Sequence, residues 1–208
     1  MLKTLRPVIL ESNIAQVLTT MKLHIFGASG SGVTTLGQTL SEELQINYFD
    51  SDDYFWVQSE PPFTNRREAT ERNELILQSL NKSNDWILGG SVIHWSENLF
   101  PAFDLIVFLW IPPNIRIERL RNREFERYGN AILKDPVRAE QFNKFIEWAM
   151  DYDYNSGIAN RTLQAHEDWL KKTKSPVLRI SGDFTTEHGT KLVMDWLKEK
   201  TVKSVKGS

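Results

Sequence analysis

The chain contains no cysteine, and this absence excludes disulfides and thiolate metal centres. It is consistent with a reducing compartment, and we expect a cytoplasmic protein. Long apolar runs are also missing, because the longest, residues 105–111, is far shorter than a bilayer span and is followed directly by Pro112 and Pro113. The sequence therefore predicts no membrane partner.

Neither sign of charge dominates the sequence or forms a block. There are 25 Lys and Arg residues against 27 Asp and Glu residues, which gives a formal net charge of −2. A nucleic-acid-binding domain normally carries a clustered basic surface, so we expect no nucleic-acid partner. The 208 residues, 40% of them hydrophobic, are enough for one globular core. We expect an N-terminal extension at 1–20 with Met21 as an alternative start, one domain at 21–200, and a C-terminal tail at 201–208.

A glycine-rich segment matches the phosphate-binding pattern G-x-x-x-x-G-K-[ST] at every fixed position except the lysine. It consists of Gly27, Ala28, Ser29, Gly30, Ser31, Gly32, Val33, Thr34 and Thr35. An apolar run at 22–26 predicts a strand before it, and residues 36–44 predict a helix after it. Glycines let backbone N–H groups converge on an anion, and the following helix adds its positive dipole end. The segment predicts a nucleotide site; a glycine-rich turn without a ligand is the alternative.

Within this motif the hydroxyl of Thr34 is expected to bind magnesium, and Thr35 to lie near an inner phosphate. Val33 stands where the lysine is usual, so one phosphate-binding cation is missing.

Predicted strands alternate with predicted helices along the rest of the chain. Further strands are expected at 45–49, 86–88, 105–111 and 176–180, and further helices at 64–80, 114–127, 139–150 and 185–199. This alternation predicts an α/β fold with parallel strands, because parallel neighbours need a helical crossover. The segment 128–160 is the least periodic, with breakers at 135–136 and 155–157, and we interpret it as a mobile lid.

Acidic residues and glycines follow two of the predicted strands. Asp50, Asp52 and Asp53 come after the second strand, and Gly89 and Gly90 after the third. Parallel sheets place ligands at the carboxyl ends of their strands. Carboxylates near a triphosphate usually serve magnesium or a substrate hydroxyl, since otherwise they would repel the nucleotide. A helix cap or Asx turn is the alternative for the aspartates, and a plain turn for the glycines.

The glycine-rich loop, the aspartate pair and the two glycines together resemble shikimate kinase and its relatives among the adenylate-kinase-like small-molecule kinases of the P-loop NTPase superfamily. The resemblance covers about residues 22–197. Because it lacks the lysine, the loop is similar to that of an uncharacterised bacterial branch of this group. The resemblance implies a three-layer P-loop fold: a central parallel sheet of about five strands, helices on both faces and a helical lid. It also implies ATP and Mg²⁺ as cofactors.

The resemblance assigns roles to these positions. Asp50 would hold magnesium or prepare the acceptor hydroxyl, and Asp52 would bind the acceptor. Gly89 and Gly90 would contact the acceptor as well. The loop at 181–183 would pack on the adenine ring.

Arginines of the lid are expected to replace the missing lysine, because the planar guanidinium can bond two phosphate oxygens. The resemblance points to Arg119 for nucleotide binding and to Arg123 and Arg161 for catalysis. A solvated helix face is the alternative for Arg116, Arg119 and Arg123.

Two further cations, Arg66 and Arg67, lie at the start of the predicted helix 64–80, with Thr64 as its cap. Cations are unusual there because the helix dipole favours anions. We expect these arginines to bind an acidic or phosphorylated acceptor; a plain surface helix is the alternative.

Together these expectations predict an ATP-dependent kinase that phosphorylates a small hydroxylated or phosphorylated metabolite. Two alternatives stay open: a catalytically weak nucleotide-binding regulatory protein and an ATP hydrolase. We expect a monomer or homodimer.

Overall fold

The computed structural model describes residues 20–60, 62–96 and 98–206. The expected N-terminal extension lies outside them apart from Thr20, as do the last two residues of the expected tail. The strands are β1 Lys22–Gly27, β2 Asn47–Asp50, β3 Trp86–Gly89, β4 Leu105–Trp110 and β5 Val177–Ser181. The helices are α1 Val33–Leu44, α2 Ser51–Phe55, α3 Ala69–Leu80, α4 Pro113–Tyr128, α5 Ala131–Lys134, α6 Pro136–Tyr154, α7 Leu163–Leu170 and α8 Thr186–Lys206.

All five strands pair in parallel, in the order β2-β3-β1-β4-β5. The central strand β1 is buried on both faces, as expected for a strand covered on each side. Ile25 is level with Gly89 of β3 and Val107 of β4, so the carboxyl ends of these strands meet at one edge. The predicted α/β fold with a parallel sheet of about five strands is confirmed.

Helices cover both faces of this sheet, each above its own hydrophobic cluster. One cluster joins Leu36 of α1 and Val193 of α8 to Leu23 and Ile25 of the sheet. The other joins α3 and α7 to the opposite face around Phe26. Helix α8 runs on to Lys206, past the expected domain boundary at residue 200. No helix within the described ranges combines the length and apolarity needed to cross a bilayer.

The segment predicted as a lid is mostly helical, and α6 is longer than the predicted 139–150. Asp135 caps α6 by accepting a hydrogen bond from the Arg138 amide at 2.8 Å, and Pro136 occupies its first turn. An Asp-Pro pair that was expected to break a helix therefore begins one. Helix α6 packs against α4 through an apolar cluster that includes Leu120 and Ile146.

The predicted helix start at Thr64 is wrong, because α3 begins at Ala69. The residues before it fold back on the end of α2. The Arg67 amide donates to the Phe55 carbonyl at 2.8 Å, and Trp56 and Arg66 form an antiparallel bridge. Arg66 and Arg67 consequently do not lie at a helix N-terminus, and the dipole argument for an anion beside them no longer applies.

Candidate active site

A cavity of about 880 Å³ lies at the carboxyl edge of the sheet. Residues 27–35, the whole glycine-rich loop, form one wall, and Asp50, Asp52 and Gly90 form another. Gly89, Arg66 and Arg67 are not among its lining residues. The structure thus brings together the loop, the aspartate pair and one of the two predicted glycines.

The loop adopts backbone conformations that favour glycine at two positions. Gly30 has φ of 81°, and a Cβ there would lie 2.9 Å from the Arg116 carbonyl oxygen. Gly32 has φ of 87° and is the N-cap residue of α1. Gly32 lines the cavity, and a Cβ on this residue would have no atom within 4 Å. The loop therefore leaves open space at the N-terminal end of α1, where backbone N–H groups and the helix dipole favour an anion.

Val33, at the lysine position, is the first residue of α1. Its side chain is partly buried and packs on the hydrophobic cluster that contains Leu36. Val33 therefore supplies no cation to the cavity.

Asp50 accepts three hydrogen bonds at the end of β2. The donors are the Thr34 hydroxyl, the Tyr48 hydroxyl and the Asp52 amide, each at 3.0 Å. The Tyr48 side chain lies between Gly37 and Gly89: an added Cβ would lie 2.2 Å from a ring carbon at Gly37 and 2.0 Å from the hydroxyl oxygen at Gly89. These glycines allow Tyr48 to hold the Asp50 carboxylate beside Thr34.

The Thr34 hydroxyl and the Asp50 carboxylate fit a magnesium site. Magnesium prefers oxygen ligands and is usually bound by one or two protein groups together with waters and substrate phosphates. Within the described ranges no cluster of three or more His, Cys, Asp or Glu residues could hold a metal alone. Two protein oxygens beside a phosphate loop agree with an ion that takes its other ligands from waters and substrate phosphates.

Asp52 has a carboxyl group of raised pKa. Its surface is open to the cavity, but the surrounding protein walls desolvate it, and this burial raises the pKa most. The charge of Asp50 adds to the effect, while Arg161 opposes it. Burial and Asp50 also raise the pKa of Asp53, which does not line the cavity. Asp52 is thus a better proton acceptor than an ordinary aspartate.

Arg119, Arg123 and Arg161 all line the cavity, as does Arg127. Arg119 pairs with Asp183, in the loop after β5, at 3.0 Å. Arg123 lies 3.3 Å from Glu124. The Arg161 guanidinium lies 4.9 Å from the centroid of the Phe55 ring. The three predicted phosphate-binding arginines therefore share one cavity with the loop.

Arg116 differs from the other arginines of α4, because its side chain is 0% exposed. The solvated-face alternative is wrong for this residue. Its Nη1 donates to the Ser29 carbonyl at 3.1 Å, and its Nη2 donates to the Asp153 carboxylate. Arg116 ties the glycine-rich loop to the end of α6.

Arg67 holds the chain between α2 and α3. Its Nε donates to the Tyr54 carbonyl at 3.0 Å, and its Nη1 pairs with Glu71 at 2.8 Å. Arg66 lies 5.8 Å from the centroid of the Phe55 ring, which Arg161 also contacts. The Arg66 charge lies near enough to Arg161 to lower the pKa of Arg161, although neither Arg66 nor Arg67 lines the cavity.

Several cavity-lining residues were not predicted as site residues, and three of them, Ser91, Tyr152 and His166, form a hydrogen-bonded group. His166 Nε2 lies 2.9 Å from Ser91 Oγ, and its Nδ1 lies 2.9 Å from the Tyr152 hydroxyl. Burial lowers the pKa of His166 to about 3. Ser91 could have been found from its place after Gly90, but no local pattern marks Tyr152 or His166.

A family model described as "AAA domain" matches residues 24–143, more than half of the chain. The chain belongs to this family. The AAA-domain match covers the glycine-rich loop, the aspartate pair and helix α4, so the predicted relationship to P-loop proteins is confirmed.

Two curated relatives of this AAA-domain chain differ in how much of it they match. The uncharacterized protein YqaC of Bacillus subtilis (strain 168) is 45% identical over 175 residues, which cover 84% of this chain and 96% of that protein. The shikimate kinase of Bacillus cereus (strain G9842) is 33% identical over 108 residues, which cover 48% of this chain and 66% of the kinase. The predicted similarity to shikimate kinases is thereby confirmed over about half of the chain.

Among solved structures, a sugar kinase from Janibacter sp. HTCC2649 matches with a TM-score of 0.50 and 14% identity. The match covers 86% of the AAA-domain chain and 95% of the kinase. At this identity the likeness shows the shared fold.

Proposed function

We propose that this protein is an ATP-dependent phosphotransferase that acts on a small hydroxylated or phosphorylated metabolite. The observation that carries the proposal is a second carboxylate, Asp52, in a cavity lined also by the phosphate loop, by several arginines and by the Thr34–Asp50 pair with its 3.0 Å hydrogen bond. Thr34 and Asp50 suffice to bind magnesium nucleotide, and Asp52 is the carboxylate left to bind an acceptor. Similarity to shikimate kinase also supports the proposal.

On the donor side, backbone amides of the loop would hold the phosphates of ATP, and Asp183 with its neighbours would lie beside the adenine. Thr34 and Asp50 would hold magnesium, which neutralises phosphate charge when bound. Asp50 already accepts from Tyr48 and from the Asp52 amide, so its orientation is fixed before any ligand arrives. The site is thus arranged for positioning and electrostatic stabilisation.

On the acceptor side, Asp52 would receive the proton of the acceptor hydroxyl. Its raised pKa favours this role, and the three hydrogen bonds of Asp50 make that residue less available. The acceptor oxygen forms a bond to the γ-phosphorus while the bond from that phosphorus to the β–γ bridging oxygen breaks. ADP leaves with that electron pair, and the acceptor proton passes to Asp52.

Arg123 and Arg161 would supply the positive charge that Val33 cannot. Among the described residues, Arg161 has no carboxylate within salt-bridge distance, so its guanidinium has no such partner to give up before it binds phosphate oxygens. Burial lowers its pKa, and the nearby charge of Asp52 acts in the opposite direction. A hydrogen bond to a charged group contributes roughly 1.5–3 kcal/mol.

An ATP-turnover assay with a panel of hydroxylated and phosphorylated metabolites tests the proposal. A kinase releases ADP only when an acceptor is present. Acceptor-independent release would instead identify an ATP hydrolase, and binding without release would identify a regulatory protein. Either of these last results would contradict the proposal.

Single-turnover transfer in Arg123→Ala and Arg161→Ala tests the replacement of the lysine. We expect each variant to be slower by about 10- to 100-fold, since each ~1.4 kcal/mol is a factor of ten in rate. Arg121→Ala is the matched control, because Arg121 is exposed on the same helix as Arg123 and does not line the cavity. Unchanged rates in both active-site variants would contradict the hypothesis that Arg123 and Arg161 replace the lysine.

The remaining predictions concern the residues that contact the acceptor, the location of the protein and its oligomeric state. Gly90 lines the cavity and is the better placed of the two glycines to contact the acceptor. Arg66 and Arg67 do not line the cavity, and acceptor binding by them stays a prediction. The cytoplasmic location and the monomeric or homodimeric state stay predictions.

A further inference from the structure

The proposed function does not use a set of five polar side chains, three of which line the cavity. We call it the polar relay, and it consists of Arg116, Asp153, Tyr152, His166 and Ser91. Members of the relay come from α4, α6, α7 and the segment after β3. The relay therefore connects elements that are far apart in the sequence.

One end of the relay contacts the phosphate loop. Arg116 is completely buried, and its Nη1 donates to the Ser29 carbonyl at 3.1 Å. Its Nη2 donates to Asp153, and its guanidinium lies 5.1 Å from the centroid of the Tyr152 ring. Arg116 thus links the loop at Ser29 to the last turn of α6.

The other end reaches the opposite wall of the cavity. Tyr152 hydrogen-bonds to His166, and His166 hydrogen-bonds to Ser91, each at 2.9 Å. The imidazole is 1% exposed and is held edge-on by the Phe26 ring, with 4.9 Å between the ring centroids. Ser91 follows Gly90, so its hydroxyl lies on the acceptor side of the site.

A neutral imidazole makes the two hydrogen bonds of His166, to Ser91 and to Tyr152, run in one direction. The ring has one N–H and one lone pair, so it donates to one hydroxyl and accepts from the other. The hydroxyl that receives the N–H keeps its own proton for another partner. Both Ser91 and Tyr152 line the cavity, so that proton is available to a ligand.

Stability alone does not account for the relay. The buried Nε of Arg116 and Oδ1 of Asp153 have no hydrogen-bond partner among the described residues. Unpaired buried polar atoms cost free energy, and a buried ion pair is often replaceable by apolar residues without loss of stability. The arrangement therefore suits a positioning role better than a purely structural one.

We propose that the polar relay fixes the Ser91 hydroxyl relative to the phosphate loop, so that Ser91 contacts the acceptor while Arg116, Tyr152 and His166 act as positioning residues. The role for Ser91 rests on the proposed phosphotransfer. The connection from the loop to His166 does not, and it can be measured separately.

The first experiment needs no nucleotide. NMR of the imidazole nitrogens reports the hydrogen bonds of His166, and His188 is an internal control because it is exposed on α8, which contributes no member of the relay. We expect Arg116→Lys to shift the His166 signals and to leave those of His188 in place. If Arg116→Lys does not fold, Asp153→Asn, which preserves the shape of the Asp153 side chain, is used in its place. Unchanged His166 signals in the folded variant would overturn the relay.

The second experiment adds magnesium and the nonhydrolysable ATP analogue AMP-PNP. Binding should shift the His166 signals in the unmodified protein, and Tyr152→Phe, which removes only one hydroxyl, should abolish that shift at saturating analogue. A bound analogue with no effect on His166, or a full shift in Tyr152→Phe, would overturn the relay. Absence of AMP-PNP binding by calorimetry would instead contradict the proposed function, and the first experiment would still decide the relay.

Discussion

Replacing Gly32 by alanine should weaken nucleotide binding in addition to destabilising the fold through its backbone conformation. Gly32 has φ of 87°, and the left-handed conformation costs an L-residue about 1–2 kcal/mol. No atom lies within 4 Å of the position of the added methyl group, so the free protein has no clash to relieve. In the complex that methyl group would occupy the open space that we assign to phosphate. Loss of one amide contact to an anion, roughly 1.5–3 kcal/mol, corresponds to about a 10- to 100-fold weaker affinity.

Gly157→Ala is the matched control for this variant. Gly157 has φ of 99°, has nothing within 4 Å of its Cβ position and does not line the cavity. Titration calorimetry with magnesium ATP measures the affinity. Thermal unfolding measures the destabilisation that alanine in a left-handed conformation causes in both variants. We expect similar melting temperatures in the two variants and weaker binding only in Gly32→Ala. Equal affinities in the two variants would refute the assignment of the phosphate site.

Three further predictions follow from the same contacts. Asp50→Asn should raise the magnesium concentration needed for half-maximal turnover by at least about tenfold, because a carboxylate ligand is lost; an unaltered magnesium dependence would contradict the metal site. Gly37→Ala should destabilise the protein by about 1–3 kcal/mol, since the new methyl group overlaps the Tyr48 ring; an unchanged melting temperature would show that the ring moves freely. Burial lowers the pKa of His24 to about 4 and of His166 to about 3, so both rings are neutral in the folded protein near neutral pH. Below about pH 6.5 the unfolded chain binds more protons, and the free energy of unfolding should fall with pH by up to about 1.4 kcal/mol per unit for each ring. Denaturant titrations from neutral pH down to about pH 4 measure this slope, and a flat profile would contradict the buried neutral state.

Local patterns were sufficient to predict that the glycine-rich loop and Asp50 lie together, at one cavity. The glycine-rich loop lies between a buried strand and an amphipathic helix, and these neighbours are adjacent in the sequence. Asp50 was predictable because a residue directly after a strand lies at the ligand edge of a parallel sheet. Its contact with Thr34 at 3.0 Å follows from that shared edge.

Long-range contacts account for most of what the sequence could not show. Arg116 has the same spacing on α4 as the exposed arginines, and only its packing against Ser29 and Asp153 explains its burial. His166 and Ser91 are 75 residues apart, so no sequence window contains both. The start of α3 was misplaced for a similar reason, since the bridge at Trp56 competes with helix formation.

Binding of magnesium ATP to the unmodified protein, measured by titration calorimetry, tests the central claim most directly. The account predicts saturable binding that depends on magnesium, although Val33 replaces the usual lysine. Negligible heat with every purine triphosphate in the presence of the metal would contradict it.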